Sequence, residues 1–578
     1  MKKINVLISL LLVLLLSTNV LSVSAVSENK SKTEKYASGL ILSTSEDVSN
    51  NIMDAERIPK EEIRDSIPSS VDLSLSNYFP PIGNQGNIGS CTSWATAYYQ
   101  FGYQIAAMNN WDAKHDFTKC FSPKFIYNIV KDNYNESSSY YDNYTILQNH
   151  GAVRYSEFEP SSEYTLSEIN EWCINTNCLE NALRNRISAT NEVVFSNSFM
   201  QTPITSPYST NLSIMKHLIS TGHVLAIETY MGNKENLSLD GSSFVGNSLW
   251  RFGLASNGEI VCKECVNPPN NNLGHAMTVV GYDDNIWYDY NQNGLQEDFE
   301  LGAFKLANSW GTDYCNNGFI WVMYDALNKQ SNFSSSSGRF EAFVQYQYHY
   351  IEVASFDLEL IAKVTVSNNS REDIGIDLGI SSLSQTVPST YMTTIFNQKG
   401  GPYPIEGIGL NSEATIPFDY GTFINGARTR KCYYLSLGDY SFNNSSTTIS
   451  KVQFIDKTGH IVVDDTSLSS LNSSGENPFL GRSIPDTELR RYRIGMLGDV
   501  DNNATVDLID STLIQRYIAR IIDLTDDDIV TADTDGNGEI DVLDAFTIQA
   551  LCANVNLEGA VENGYLCAGY FVNLDNQM

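Results

Sequence analysis

Gly83-Asn84-Gln85-Gly86-Asn87-Ile88-Gly89-Ser90-Cys91-Thr92-Ser93-Trp94-Ala95 carries the most information in the chain. Its glycines describe a loop, and the residues after Cys91 begin an apolar, aromatic run through Tyr98, Tyr99 and Phe101 with helical spacing to Met108. The loop therefore delivers a thiol to a helix N-terminus. The positive end of the helix dipole favours the thiolate there, and the thiolate is the nucleophilic form. A nucleophile of this kind needs a base to take its proton and an acid to protonate the leaving group, and one histidine can serve as both.

Seven histidines are available: His115, His150, His217, His223, His275, His349 and His460. Only His275 opens a strand-like apolar run, Gly274-His275-Ala276-Met277-Thr278-Val279-Val280-Gly281-Tyr282. Downstream stand Ala307-Asn308-Ser309-Trp310-Gly311 and Gly318-Phe319-Ile320-Trp321-Val322. An Asn amide can accept from an imidazole and orient it, and a Trp can keep water from that bond.

Together these residues resemble the papain-like cysteine peptidases, in the order Gln, Cys, His, Asn and in the six-residue step from Gln85 to Cys91. The resemblance implies an α+β papain-like domain over 67–350. It makes Cys91 the nucleophile, His275 the general acid/base and Asn308 the residue that orients His275. The Gln85 side chain, with the Cys91 backbone N–H, would form the oxyanion hole, and Trp310 would shield the Asn–His bond. Ile67-Pro68-Ser69-Ser70-Val71-Asp72 resembles the start of the mature family domain, and Asn149 to Phe158 the turn in its middle. Three departures stand out. Ile88 occupies a position where the family usually has a disulfide cysteine. Thr92 replaces the usual aromatic after the nucleophile. Residues 26–66 are shorter than the usual family pro-region. The implied activity is that of an endopeptidase acting through a Cys acyl-enzyme. A non-catalytic papain-like adaptor and a hydrolase of cell-wall peptides are the rival readings.

Between His275 and Asn308 lies Asp289-Tyr290-Asn291-Gln292-Asn293-Gly294-Leu295-Gln296-Glu297-Asp298-Phe299-Glu300. Oxygen side chains at loop positions 1, 3 and 5 (Asp289, Asn291, Asn293), Gly at 6, a backbone carbonyl at 7 (Leu295) and a carboxylate at 12 (Glu300) fit the twelve-residue calcium loop. Two further loops are an internal repeat. The first offers Asp499, Asp501, Asn503, Thr505, Asp507 and Asp510, and the second Asp533, Asp535, Asn537, Glu539, Asp541 and Asp544. Each runs into an apolar-periodic helix, through Leu513, Ile514, Tyr517 and Ile518 in one copy and Phe546, Ile548 and Leu551 in the other. The pair resembles a type I dockerin, a small all-α calcium-binding module of two EF-hand-like loops. That implies two Ca2+ ions and a cohesin domain of a cellulosome-type scaffoldin as partner, while the 289–300 spacing separately offers a place for one more ion in the peptidase region. Ala504 stands where the loop usually has Gly, so strain is expected in the first copy.

The rest of the chain fits this organisation. Of 578 residues, 36 are Lys or Arg and 68 Asp or Glu, for a net charge of −32. That balance argues against a nucleic-acid partner, which needs clustered cations. Residues 491–578 hold 16 Asp+Glu against 4 Lys+Arg, so much of the acidity coincides with the calcium loops. Met1-Lys2-Lys3, the apolar Ile4 to Leu16 and Val23-Ser24-Ala25 read as a secretory signal peptide over 1–25, and no later run is long enough to span a membrane. A short pro-region or flexible segment is expected at 26–66. Runs at Leu358 to Ser367, Ile374 to Ile380, Cys432 to Leu437 and Ile449 to Ile455 predict an antiparallel β-sandwich over 351–476. A linker over 477–494, the dockerin over 495–556 and a tail over 557–578 complete the chain. Cys262 and Cys265 form a C-x-x-C that lacks the second pair a zinc site needs. Export favours disulfides, whose connectivity the spacing leaves open.

Overall fold

The structure is a computed structural model. It describes residues 39–41, 67–131, 137–161, 163–194, 204–208, 210–230, 250–265, 274–327, 343, 347–383, 385–396, 400–421, 431–440, 446–466, 470–472, 476–477, 482–483, 486–503, 505–555 and 571–573. The expected signal peptide, nearly all of 26–66, Ala504 and most of the tail lie outside the described residues.

The thiol loop ends in a helix, as the periodicity predicts, but the helix changes pitch. Cys91–Ser93 is α-helical, Trp94–Phe101 winds as a π-helix and Gly102–Asn109 returns to α. Every residue of the π segment is buried, so the helix runs through the interior and packs on all sides. Phe79 stacks on Tyr99, and Trp94 meets Tyr98 edge-on.

This helix packs on a nine-stranded sheet: β1 (Ser70–Asp72), β2 (Asn185–Val194), β3 (Leu225–Tyr230), β4 (Trp250–Leu254), β5 (Ile260–Cys265), β6 (Gly274–Trp287), β7 (Leu301–Ala307), β8 (Phe319–Met323) and β9 (Gln347–Ser355). The order is β2-β9-β3-β6-β7-β8-β5-β4, with β1 pairing β6. β6 is central and buried along most of its length, as its near-continuous apolar run requires. Thr278 on β6 donates to the Ala95 carbonyl of the helix at 3.1 Å, which ties the strand carrying His275 to the helix carrying Cys91. β9 continues to Ser355, five residues past the expected domain boundary at 350.

Two five-stranded antiparallel sheets follow. Glu413–Asp419, Leu360–Ser367, Ser446–Asp456 and Ile461–Asp465 form one, with Ser470–Asn472 on its Ser446–Asp456 strand. Thr390–Thr393, Ile374–Ser381, Lys431–Asp439, Asp486–Met496 and Phe571–Asn573 form the other. This corrects the linker expected over 477–494. Asp486–Met496 pairs with Lys431–Asp439 over nine residues and is a full strand. Towards its end exposed Arg491 and half-buried Arg493 alternate with buried Tyr492 and Ile494, as in a strand with one face packed and one wet.

The modules are not separate beads. One apolar core includes Phe101, Tyr144 and Trp172 from the first region and Val364, Leu378 and Phe454 from the two sheets. The Trp172 N–H donates to the Glu406 carbonyl at 2.7 Å, Thr176 Oγ1 to the Thr415 carbonyl at 2.9 Å, and the Arg371 guanidinium lies 4.4 Å from the Trp172 ring. Arg186 and Asp419 form a fully buried ion pair across the same boundary. At the far end, helices Leu508–Ile518, Asp526–Ala532 and Val542–Cys552 enclose Val500, Ile514, Ala532, Ala545 and Ile548. Val506, Val530 and Leu551 of this unit pack against Leu383, Cys432, Tyr434 and Leu497 of the preceding sheet region.

Candidate active site and calcium loops

Packing, not local sequence, brings Cys91 beside the start of the strand that carries His275. Cys91 and His275 are both fully buried. The Cys91 thiol lies within hydrogen-bond reach of the backbone of Ala276, the residue after His275. His275 Nε2 and Asn308 Oδ1 are 2.9 Å apart. Since the amide oxygen can only accept, Nε2 carries the proton and a neutral ring leaves Nδ1 as its acceptor. Nδ1 is buried with no hydrogen-bond partner among the described residues. The Trp310 ring lies over the imidazole, centroids 4.6 Å apart and planes at 30°, and Trp250 packs on both rings. Burial pushes the Cys91 thiol up and pulls His275 down to about 4, against a smaller opposing effect of Asn308. In this closed arrangement both groups are neutral at pH 7.

Residues that the sequence reading missed hold this constellation. Ser309 Oγ donates to Gln85 Oε1 at 2.6 Å, the Gln85 N–H donates to the Ser309 carbonyl at 2.8 Å, and the Ser309 N–H donates to Asn308 Oδ1 at 2.8 Å. Gln85 Nε2 donates to the Ile88 carbonyl at 2.8 Å. The Tyr99 hydroxyl accepts from the Gly83 N–H and donates to the Asn308 carbonyl. Ser309 was visible only as a neighbour of Asn308, and nothing in the sequence distinguished Tyr99 from other core aromatics. The departures are absorbed locally. Ile88 packs with Tyr127, Tyr164 and Ile169 where a staple was absent, and Thr92 Oγ1 reaches the Ser138 carbonyl.

Gly39-Leu40-Ile41 crosses this site. The Leu40 N–H donates to the Gly274 carbonyl at 3.3 Å, the Ile41 N–H to the Ser138 carbonyl at 3.1 Å, and the Gly39 carbonyl accepts from Ser138 N–H at 2.9 Å. Leu40 thus bridges Gly274 antiparallel and Ser138 in parallel. Leu40 is buried, and the Gly39 backbone is hydrogen-bonded to the Cys91 thiol. A Cβ on Gly39 would fall 1.7 Å from the Gly89 carbonyl oxygen, so only glycine fits.

The two C-terminal loops are built alike. Asp499, Asp501 and Asp510 bring carboxylate oxygens within 4.8 Å of one another, as do Asp533, Asp535 and Asp544. Asp510 accepts from the Val500, Asp501 and Asp507 N–H groups, and Asp544 from those of Thr534, Asp535 and Asp541. Asn503 and Asn537 accept from the Thr505 and Glu539 N–H groups. Asp507 and Asp541 cap the helices that follow. Burial raises the pKa of Asp510, Asp533 and Asp544, and a neighbouring carboxylate adds to it in each case. Such a donor set suits a hard oxygen-seeking cation.

The 289–300 loop shares this hydrogen-bond skeleton. Asp289 accepts from the Asn293 and Gly294 N–H groups, Asn291 from Asn293, and Asn293 from Leu295. Glu300 accepts from the N–H of Tyr290 and the indole of Trp287. It follows a strand instead of a helix, and its two ends sit beside β6 and β7.

Residues 497–550 match the Dockerin type I domain family. No curated protein matches the chain. Among solved structures the chain is similar to xylellain, a cysteine protease from Xylella fastidiosa, at 18% identity, covering 55% of this chain and 96% of that one with a TM-score of 0.35. It is also similar to procathepsin B from Trypanosoma congolense, at 12% identity, 55% and 88% coverage and a TM-score of 0.34. The bromelain protease from Ananas comosus gives 15% identity, 49% and 98% coverage and a TM-score of 0.29. Among the described residues no helix is long and apolar enough to cross a membrane.

Proposed function

We propose that this protein is a papain-like cysteine endopeptidase, exported and tethered through its dockerin to a cohesin-bearing, cellulosome-type scaffold. The observation that carries the catalytic part is the His275–Asn308 hydrogen bond under Trp310, beside a thiol that touches the Ala276 backbone. In the reaction His275 Nδ1 takes the Cys91 proton, and the thiolate attacks a peptide carbonyl. The Cys91 N–H and the Gln85 amide stabilise the oxyanion. The imidazolium, oriented by Asn308, then protonates the leaving amine, and a water activated by His275 hydrolyses the thioester.

The segment before the domain is a short pro-region in this reading. Gly39–Ile41 occupies backbone donors and acceptors on both rims of the cleft and covers the thiol. The two five-stranded sheets that follow β9 form a β-sandwich that props the helical half of the peptidase. The dockerin binds two Ca2+ ions through Asp499, Asp501, Asn503, Thr505, Asp507 and Asp510, and through Asp533, Asp535, Asn537, Glu539, Asp541 and Asp544. A third sits at Asp289, Asn291, Asn293, Leu295 and Glu300, where it would stiffen the connection between the strands of His275 and Asn308. Exposed Leu508, Ile509, Val542 and Leu543 at the two helix starts support a partner surface of apolar character.

The deciding experiment compares wild type with Cys91→Ala on casein and on a peptide library, after removal of residues up to 66. Activity retained by Cys91→Ala would sink the assignment, and so would an absence of cleavage by the processed wild type. Labelling of Cys91 by a thiol-directed epoxide peptide should accompany activity.

A further inference from the structure

Three cysteines outside the catalytic site converge behind Trp310. Cys262 and Cys265 lie on β5, which pairs with β4 in an irregular register: Cys262 faces Phe252, Glu264 faces Arg251 and Cys265 faces Trp250. Lys263 is the extra residue of a bulge. Without it, residues three apart on a strand would point to opposite faces. With it, Cys262 and Cys265 both fall on the face of Phe252 and Trp250, and all four are buried in one apolar cluster.

Cys315 is brought to the same place from another element. The Asn316 side chain clamps β5 reciprocally: Oδ1 accepts from the Ile260 N–H at 2.9 Å and Nδ2 donates to the Ile260 carbonyl at 2.8 Å. β8, which follows this turn, runs parallel to β5 with Cys262 opposite Val322. Cys315 therefore sits beside the Cys262 end of β5, in the cluster that holds Cys262, Tyr314 and Trp310. Its backbone is left-handed, with φ of 43°. Both Cys262 and Cys315 are thiols in this structure. Burial pushes both up, Cys315 to about 12, and the nearby Cys265 and Cys315 raise Cys262 further.

We infer that Cys262 and Cys315 form a structural disulfide in the oxidised protein, made before burial is complete. The oxidant is a low-molecular-weight disulfide. One thiolate attacks it to give a mixed disulfide and releases one small thiol. The second cysteine then displaces the other small thiol, so two protein thiols are oxidised and one disulfide is reduced to two thiols. The bond ties β5 to the turn over 311–318. That turn carries Tyr314, which meets Trp310 edge-on at 4.9 Å, so the bridge fixes the wall behind the His275–Asn308 pair. Cys265 remains outside the bond.

The test uses the full chain refolded from denaturant in oxidised or reduced glutathione, then denatured in iodoacetamide without reductant, digested with pepsin and mapped by mass spectrometry. The expected result for the oxidised sample is a Cys262 peptide joined to a Cys315 peptide, with Cys265 alkylated. Full alkylation of both, a Cys262–Cys265 bridge, or release of one zinc per chain on denaturation overturns the inference. The oxidised protein should also melt at least about 5 °C above the reduced one. Cys315→Ser abolishes that difference and Cys265→Ser keeps it. If Cys315→Ser does not fold, the cross-link map of Cys265→Ser decides alone.

Discussion

Gln85 and Ser309 differ in the roles proposed for them, and the effects of their substitution should be separable. Gln85→Ala removes one of the groups assigned to the oxyanion and should lower kcat about 10²–10³-fold with little change in KM. Ser309→Ala touches no substrate. It strips the hydroxyl from Gln85 Oε1 and leaves that buried acceptor short of a donor, at a cost of about 1–3 kcal/mol. Part of that should appear as a lower kcat, because Gln85 loses its anchor. Steady-state kinetics on one fluorogenic peptide, with urea unfolding of the same variants, checks both expectations. At this scale the grouping of Cys91, His275 and Asn308 was legible because each sits in a distinctive multi-residue motif. Ser309 and Tyr99 were not, because their work is done by hydrogen bonds to residues far away in the chain.

The cleft strap and the calcium loops belong to the scale of elements. Gly39→Leu cannot keep the strap in place, since even a Cβ would overlap the Gly89 carbonyl. The unprocessed variant should therefore react with a thiol-directed epoxide peptide at Cys91 faster than the unprocessed wild type by at least about tenfold, the equivalent of 1.4 kcal/mol lost from the closed form. Equal labelling rates would falsify the strap assignment. Removal of Ca2+ leaves Asp499, Asp501 and Asp510, and their counterparts in the second copy, as mutually repelling carboxylates. Chelation should reduce the helical circular dichroism signal and abolish cohesin capture, and added Ca2+ should restore both. The repeat made these loops readable, because ligand spacing is a local property. The strand Asp486–Met496 was not readable, because its partner strand is about 50 residues upstream and its charges, with Arg490 and Arg491 adjacent, fall on both faces and break the apolar alternation.

The whole molecule should respond to acid and to loss of its buried ion pair. His150 and His349 are pulled down to about 3 and His275 to about 4, in each case mainly by burial. The unfolded chain binds these protons near pH 6.5 and the folded one does not. Their contribution to stability is thus complete above about pH 6.5 and is lost as pH falls toward 4 and then 3. Thermal midpoints measured from pH 7 to pH 4 should fall steadily. Asp419→Asn leaves the Arg186 guanidinium buried without its countercharge, at a cost of about 3–5 kcal/mol. Because this pair joins β2 to the sheet region, its loss should loosen both together, seen as faster amide exchange in 185–194 and 413–419.

What could be read along the chain is local: a thiol at a helix start, a histidine opening a strand, an asparagine shortly before a tryptophan, and twelve-residue oxygen-bearing loops. Each depends on spacing along the chain, which is all that a sequence displays. Only the packing of distant segments settled that the first region and the two sheets share one core, that Gly39–Ile41 crosses the site, and that a bulge at Lys263 puts Cys262 and Cys265 on one face. Those outcomes depend on which surfaces bury one another and on strand registers between distant segments. Burial and register are properties of the folded ensemble of contacts, and no single stretch of sequence encodes them.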